Sequence, residues 1–491
     1  MQMHTRPSRR AARSVLAAAL MALVTACGSA LGPSEVIRAN EAARGQGGEV
    51  PPSTTQVPGT GAATPGAVAT PGAGSGPGAG GGASTPGSQG GSQAGGTPGV
   101  QAPTGGTGGV KAASCQGFKN GPGITDSTIT IGNAVDVSGP VPGLFEGAQQ
   151  AVKAYVAYFN AMNPAGICGR KLVLDTYDTR TDNGGNQQAA AKMCASNFAD
   201  IGSMSIFDSG LAAGAQQCGL PSLHAAAVTA TFNRCSTCFG IDGSGVGEFS
   251  NEVYDYWMRT NKAATQKAAF LYLNQGAAAE NAKIQQSVGA KRGIKWEYVA
   301  AIDVAEFNYG PYVQQLKSKG ITMVQFIGGW QQAVRLLQAE QAAGYKPTIS
   351  LFDPSIYEQG FLSQAGALAE GSYMYMLNTA LDEDQPEMNL YRQWLGQAVP
   401  GASPTFFGIF AWSAAKLFTE TAVRLGGGLN RAAMVKSLLA TNDWKGGGLH
   451  PPQTVGAKHP SSCIRYMVIK GGRFVPASKP TYTCGGYSKA S

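Results

Sequence analysis

The chain has 491 residues, with 37 Lys and Arg against 29 Asp and Glu, and a formal net charge of +8. Because the basic residues are scattered rather than clustered, the charge does not indicate a nucleic-acid interface. The 69 glycines and 27 prolines concentrate between Gly45 and Gly109. The remainder, from about Cys115 to Tyr487, is long enough to bury one or two cores.

The N-terminus has the form of a secretory signal. Arginines including Arg9 and Arg10 precede an apolar run, Val15 to Val24, that is too short to span a bilayer. The run ends in Val-Thr-Ala-Cys27, which resembles the lipobox of bacterial lipoproteins, where the cysteine is lipidated. We expect residues 1–27 to be a lipoprotein signal, with Cys27 as the anchor on the outer face of the cytoplasmic membrane. An ordinary signal peptide and a twin-arginine signal stay open as alternatives.

Residues 28–113 consist mainly of Gly, Pro, Ala, Ser and Thr, with few aromatic or β-branched side chains. Such a segment buries too little apolar surface to offset the entropy of ordering, so we expect a disordered tether. As a flexible coil of roughly 85 residues, it has a root-mean-square span on the order of 50 Å.

Eight cysteines remain when Cys27 is set aside, an even number that suits disulfides in an oxidising compartment. The sequence leaves the connectivity open, but Cys168–Cys194 and Cys463–Cys484 are favoured because each pair brackets one strand-containing segment. Cys235-x-x-Cys238 has no second pair at zinc-finger spacing. We interpret it as a structural disulfide within or near that loop.

The ordered part opens with a strand, a loop and a helix. Ile129 and Ile131 mark the strand, and apolar residues at helical spacing predict a helix that ends near Met162. The loop contains Ser138 and two glycines, at the carboxyl end of a strand, where open α/β sheets bind ligands.

Strands and helices then alternate. Further strands are predicted at 171–177, 201–207, 221–226, 268–273, 295–302, 321–327 and 348–352. Helices are predicted at 186–198, 210–218, 248–259, 277–288, 312–319, 331–343, 388–398, 406–425 and 431–440. A terminal hairpin is predicted at 464–469 and 473–475. The alternation indicates parallel sheets with helices on both faces, and its two series indicate two lobes.

This arrangement resembles the periplasmic-binding-protein type I family, and within it the substrate-binding proteins of branched-chain amino acid (Leu/Ile/Val-like) ABC importers. The resemblance rests on residues 129–132 with 138–140, on 169–172 leading to 177–178, and on 270–272 with 328–330. It implies an α/β fold of two doubly wound parallel-sheet lobes joined by a three-segment hinge, with the ligand between them. Within a domain at 114–487, lobe 1 is expected at about 114–245 and 377–445, and lobe 2 at about 246–376 and 446–487.

The resemblance also implies ligand contacts at strand ends. They fall on Ser138, Phe145, Ser205, Phe207, Asp208, Ser209, Ala227, Thr229, Trp330 and Asp353. Hydroxyl and backbone N–H groups at Ser209 and Thr229 suit an anionic or carbonyl group. The aromatic members suit an apolar wall, and the two aspartates suit a cationic group.

The sequence departs from the amino-acid-binding pattern. Ser355 stands where an acidic residue is expected, and Asn274 and Gln275 stand where a tyrosine is expected. An amide, a small carboxylate or an apolar compound therefore remains open as the ligand, beside an amino-acid-like one.

No nucleophile, phosphate-loop or zinc-protease motif is present in the sequence. We expect no enzyme activity, cofactor or metal. The predicted function is a lipid-anchored, extracytoplasmic solute-binding protein whose partners are a small molecule and an ABC permease. A ligand-sensing lipoprotein and a secreted enzyme with an unrecognised site are the alternatives.

Overall fold

The computed structural model describes residues 111–477 and 482–490. The predicted signal with Cys27, and the predicted tether up to residue 110, lie outside these residues. Two main sheets are present in the described part, one of five strands and one of eight. The predicted α/β architecture of two parallel-sheet lobes is confirmed.

The first lobe is built on a five-stranded parallel sheet. Its strands are β1 (Thr128–Val135), β2 (Lys171–Asp178), β3 (Ala199–Ile201), β4 (Ser222–Ala227) and β5 (Cys238–Gly243). They lie in the order β2-β1-β3-β4-β5. The helices that connect them are α1 (Glu146–Met162), α2 (Asn183–Ser196), α3 (Ser209–Cys218) and α4 (Ala230–Arg234). Ile129 and Ile131 of β1 are fully buried, as the alternating sequence predicts.

The second lobe is built on the larger sheet. Its strands are β7 (Ala268–Leu273), β8 (Trp296–Ile302), β9 (Met323–Ile327), β10 (Ile349–Phe352), β11 (Tyr373–Met376), β12 (Cys463–Lys470), β13 (Arg473–Pro476) and β14 (Thr483–Cys484). The strands β7 to β11 are parallel, and the antiparallel β12 and β13 close one edge. Its helices are α5 (Glu252–Thr260), α6 (Lys262–Thr265), α7 (Gly276–Lys291), α8 (Gly310–Ser318), α9 (Trp330–Ala342) and α10 (Gln359–Ala365). A separate ribbon pairs β6 (Glu248–Ser250) with β15 (Tyr487–Lys489).

Three helices return the chain to the first lobe. They are α11 (Pro386–Ala398), α12 (Phe406–Leu425) and α13 (Arg431–Leu439). Both α11 and α12 pack on α1. The chain therefore passes between the two sheets three times, after β5, after β11 and after α13, which is the predicted three-segment hinge.

The helix α12 is the most deeply buried part of this return. Trp412 is fully buried, its ring lies edge-on to Tyr155 of α1 at 4.8 Å, and its indole N–H donates to Glu387 Oε1 at 2.8 Å. The Tyr155 hydroxyl hydrogen-bonds to Thr419 Oγ1 at 2.7 Å. The Trp412 indole and the Thr419 hydroxyl are therefore paired where α12 packs its apolar run into the first lobe.

Two predicted elements are wrong in extent. The strand predicted at 201–207 ends at Ile201, because Gly202 has φ of 66°, a left-handed conformation that breaks the strand. The helix predicted from residue 248 begins at Glu252, because residues 248–250 pair with β15 instead. The strands β5, β11, β14 and β15 and the short helices α4, α6 and α10 were not predicted.

Four disulfides are present in the described residues. They join Cys115 to Cys168, Cys194 to Cys218, Cys235 to Cys238, and Cys463 to Cys484. The predicted Cys463–Cys484 bond and the structural disulfide at Cys235-x-x-Cys238 are confirmed. The Cys168–Cys194 prediction is wrong, because the segment before β1 brings Cys115 to Cys168, whereas α2 and α3 pack together and join Cys194 to Cys218.

Candidate functional site

The carboxyl ends of strands from both sheets meet around one cleft. Its first chamber encloses about 630 Å³ of empty space, the open mouth included. The chamber is lined by Val141, Leu144, Phe145, Met204, Ile206, Val228, Leu273, Gln275, Ala277, Ala278, Asn281, Val304, Ile327, Gly328, Gly329, Asp353, Ser355 and Phe407. These residues follow β1, β3 and β4 in the first lobe and β7, β8, β9 and β10 in the second, and Phe407 lies in α12.

A second chamber adjoins the first. Met204, Val228, Asn281, Asp353 and Phe407 line both chambers. The second encloses about 650 Å³, measured in the same way. Its other lining residues are Ala226, Ala227, Asp242, Gly243, Ser244, Phe249, Ser250, Val253, Pro354, Tyr375, Leu377, Phe406, Pro460 and Ser461.

The charge in the cleft is negative. Asp242 and Asp353 line it, whereas no Lys, Arg or His of the described chain does. Burial raises the pKa of Asp353 to about 7, although the Ser355 hydroxyl donates to its Oδ1 at 2.6 Å and opposes the shift. Burial alone raises the pKa of Asp242 to about 7. Burial is the main cause that raises the pKa of Tyr375, and the charges of both aspartates raise it further. Both carboxylates therefore lie near the Tyr375 hydroxyl.

Three of the predicted contact residues line the cleft. Phe145 and Asp353 line the first chamber, and Ala227 and Asp353 line the second. Ser138, Ser205, Phe207, Asp208, Ser209, Thr229 and Trp330 line neither chamber.

Asp208 and Thr229 bind each other. The Thr229 hydroxyl donates to Asp208 Oδ1 at 2.5 Å, and the N–H groups of Val228 and Thr229 donate to Oδ2 at 2.9 and 3.3 Å. Asp208 is fully buried, which raises its pKa, and these hydrogen bonds oppose the rise. The carboxylate therefore ties the loop after β4 to the start of α3, 20 residues away.

Ser205 belongs to a second internal network. Its hydroxyl donates to Asp136 Oδ1 at 2.9 Å, and the Ile206 N–H donates to Oδ2 at 2.9 Å. The same hydroxyl accepts hydrogen bonds from Asn186 and from the Phe207 N–H. Burial raises the pKa of Asp136, with Thr179 and Ser205 as opposing hydrogen-bond donors.

The remaining predicted residues have structural surroundings. The Ser138 hydroxyl donates to Asp178 Oδ2 at 2.5 Å. Ser209 begins α3, which has Asp208 rather than Ser209 at its N-cap. Trp330 lies against Gly360, where an added Cβ would approach its ring to 3.2 Å.

Hydrogen bonds connect the lobes beside the cleft. The Ala277 N–H of α7 donates to the Ile206 carbonyl at 2.6 Å, and Glu280 Oε1 accepts from the Ala230 N–H at 2.6 Å. Because both bonds cross from one lobe to the other, this conformation has the cleft walls in direct contact.

Several residues that line the cleft were not predicted from the sequence. Asp242 is the next-to-last residue of β5, a strand that was not predicted, and Ser250 lies in β6, which was predicted as helix. Phe406 and Phe407 begin a correctly predicted helix, but only the tertiary fold brings its first turn to the cleft. An acidic residue at the end of a buried run, Cys238 to Asp242, is the one signal that points to the site in advance.

Within residues 111–477 and 482–490, no group of three or more His, Cys, Asp and Glu side chains is arranged to hold a metal ion. Across the same residues, none of the helices combines the length and apolar character of a membrane span.

A family model described as "periplasmic binding protein" matches residues 128–473. No curated protein sequence matches the chain.

Similar solved structures include three transport proteins. The fatty acid ABC transporter substrate-binding protein from Thermomonospora curvata is 17% identical, with a TM-score of 0.65 over 76% of this chain and 97% of that one. The branched-chain amino acid transporter substrate-binding protein from Streptococcus pneumoniae, in complex with isoleucine, is 15% identical, with a TM-score of 0.60 over 71% and 98%. An ABC transporter solute-binding protein from R. palustris, in complex with benzoate, is 16% identical, with a TM-score of 0.60 over 73% and 98%. At these identities the likeness shows the fold, which is the predicted type I arrangement.

Proposed function

Because the chain belongs to the periplasmic binding protein family, we propose that it is the extracytoplasmic solute-binding protein of an ABC importer. The observation that carries the proposal is the cleft, which is lined by residues at strand ends of both lobes, the place where open α/β sheets bind ligands. The similar structures support it, since the three described above are named as transporter substrate-binding or solute-binding proteins. The protein binds its ligand without changing it chemically.

Binding shifts an equilibrium between open and closed lobes. The bonds from Ala277 to Ile206 and from Ala230 to Glu280 exist only while the lobes touch. A ligand that contacts both walls adds its own free energy to these bonds and favours the closed form. The closed form is then the state that a membrane permease recognises.

Three predicted residues keep a direct role in this proposal. Phe145 forms part of the apolar wall, Ala227 lines the second chamber, and Asp353 supplies charge to both. Asp208 and Thr229 act by holding the loop after β4 in place.

The N-terminal part places the binding domain at the membrane. Cys27 carries the lipid, and residues 28–113 form the tether between the membrane and the lobes. Replacing Cys27→Ala moves the protein from the membrane fraction to the medium and abolishes incorporation of labelled palmitate. Undiminished palmitate incorporation in the variant, or no incorporation in the wild type, contradicts lipidation at Cys27.

A thermal-shift screen of the purified protein tests the binding function. The panel contains amino acids, amides, small carboxylates and aromatic acids, as the sequence suggests, and also amines, because two aspartates line the cleft. A ligand present at 100 times its Kd adds about 2.7 kcal/mol to the free energy of unfolding. A folded protein that no compound stabilises contradicts the proposal.

Uptake of the stabilising compound tests the importer role. Cells that lack the protein lose high-affinity uptake of that compound, and restoring the protein restores it. Unchanged uptake contradicts the importer role and favours a sensor of the same fold.

A further inference from the structure

The Thr229 donors, which the sequence assigns to an anionic ligand group, are used by the chain itself. Asp208 accepts the hydroxyl and N–H of Thr229 and the N–H of Val228. Asp136 accepts the hydroxyl of Ser205 and the N–H of Ile206. A ligand carboxylate that bound to these donors would have to displace Asp208 or Asp136. The displaced aspartate would stay buried without its hydrogen bonds, which is unfavourable.

The cleft offers an anion no cationic side chain. Its charged groups are Asp242 and Asp353, and the described chain places no basic residue on either wall. The Asp353 carboxylate is bonded to Ser355, but the Asp242 carboxylate makes no hydrogen bond or ion pair within the described residues. A partly buried carboxylate without a neighbouring cation is unfavourable, because burial removes water molecules that solvate its oxygens and no protein group takes their place.

Further polar atoms in the cleft also lack partners. Ser250 is 2% exposed, and its hydroxyl, which lines the second chamber, has no hydrogen-bond partner in the described chain. In the first chamber the Gln275 Oε1 atom is buried and equally unpaired. These oxygens and the carboxylates can all accept a hydrogen bond and belong to residues that line the two adjoining chambers, which indicates that a donor belongs there.

Aromatic rings surround the two carboxylates. Phe249, Tyr375, Phe406 and Phe407 line the second chamber together with Asp242 and Asp353. Ring faces attract organic cations, and the attraction strengthens when water is excluded. The first chamber continues with apolar walls such as Leu144 and Ile327, which suit a hydrocarbon body rather than a second charge.

We propose that the cleft binds an organic ammonium ion with an apolar body and no carboxylate. The ammonium group lies in the second chamber, lined by Asp242 and Asp353, and the body extends into the first. The inference rests on the proposed binding function and narrows its ligand class.

Compounds that share a body and differ in the head group test the charge selectivity. Phenethylammonium, 3-phenylpropanamide and 3-phenylpropanoate form one set; 3-methylbutylammonium, 4-methylpentanamide and 4-methylpentanoate form an aliphatic set. Calorimetry and thermal shift on the full chain at pH 8 measure each Kd. In at least one set the ammonium compound is expected to bind about tenfold or more tightly than the amide, with no detectable binding of the carboxylate. Leucine and phenylalanine are expected to bind more weakly than the matching amines.

Two isosteric variants locate the charge recognition. Asp242→Asn and Asp353→Asn each weaken ammonium binding by about tenfold or more, because each removes one buried charge from the cation. Asp443→Asn is the matched control, since its side chain is 72% exposed and lies outside both chambers. Circular dichroism checks that each variant folds, and binding of the neutral amide checks that the cleft is intact.

The outcomes separate this inference from the function on which it rests. A carboxylate or amide that binds as tightly as its ammonium partner overturns the ammonium proposal, and so does unchanged ammonium affinity in both aspartate variants. Failure of both ammonium compounds overturns it as well. In these cases a stabiliser elsewhere in the wider panel still supports the binding function, whereas failure of the whole panel contradicts both.

Discussion

Asp242 should make the unliganded protein less stable at alkaline pH, and its amide variant should remove the effect. Burial raises its pKa from 3.8 to about 7 in the folded state. A carboxyl with a raised folded pKa stabilises the fold while it is protonated. That contribution is complete below about pH 4 and is lost as the pH rises through about 7.

The magnitude follows from the shift. About three pKa units at about 1.4 kcal/mol each give a ceiling near 4 kcal/mol above pH 7. Because the side chain is only partly buried, water reduces this, and we expect about 2–3 kcal/mol. Asp242→Asn should therefore match the wild type at about pH 3.5 and be more stable by about 2–3 kcal/mol at pH 8.5.

Urea unfolding of both proteins at these two pH values, without ligand, measures the difference. Asp353 and Tyr375 face the same chamber and remain in both proteins, so their titration largely cancels in the comparison. Asp443→Asn, at an exposed position, should change stability by less than about 0.5 kcal/mol at either pH. An Asp242→Asn variant that is no more stable at pH 8.5, or equally stabilised at both pH values, would refute the reasoning.

Three further substitutions test the packing of the first lobe by urea unfolding. Arg431→Ala removes hydrogen bonds from the guanidinium to the carbonyls of three segments and should destabilise the protein by about 2–4 kcal/mol. If Arg431→Lys had wild-type stability, the guanidinium would not be needed to bond these carbonyls together. Gly202→Ala adds a Cβ 2.4 Å from Val152 Cγ2 at φ of 66° and should cost about 3 kcal/mol, against about 1 for Gly219→Ala, which has similar φ and open space; equal losses would count against the clash. Asp208→Ala leaves two N–H groups unpaired and should destabilise by about 2–4 kcal/mol, with a loss under about 1 as the contrary result.

The sequence predicts elements well where burial is continuous. The strand at 268–273 and the helix at 406–425 are predicted with the observed bounds. The pattern of apolar residues in each segment fits only one type of buried element. The short strands β6 and β15 escape prediction, because each depends on a partner more than 200 residues away along the chain.

Predicting the cleft is harder for the same reason. Asp208 and Thr229 stand at strand ends, where ligand contacts are expected, and nothing in the local sequence reveals that they bind each other. Phe407 reaches the cleft only because α12 returns from the second lobe. Phe145, Ala227 and Asp353 line it as expected from strand order, since position at a strand end is a property that sequence does carry.

The four disulfides have a mechanical consequence. Three of them lie in the first lobe and one joins β12 to β14 in the second, so none in the described residues spans the cleft. Each crosslink shortens the unfolded chain's reach within one lobe and leaves the hinge torsions unrestrained. The disulfides therefore stabilise each lobe separately and do not restrain the closure of the lobes around a ligand. A reducing agent should lower the melting temperature while leaving ligand affinity unchanged.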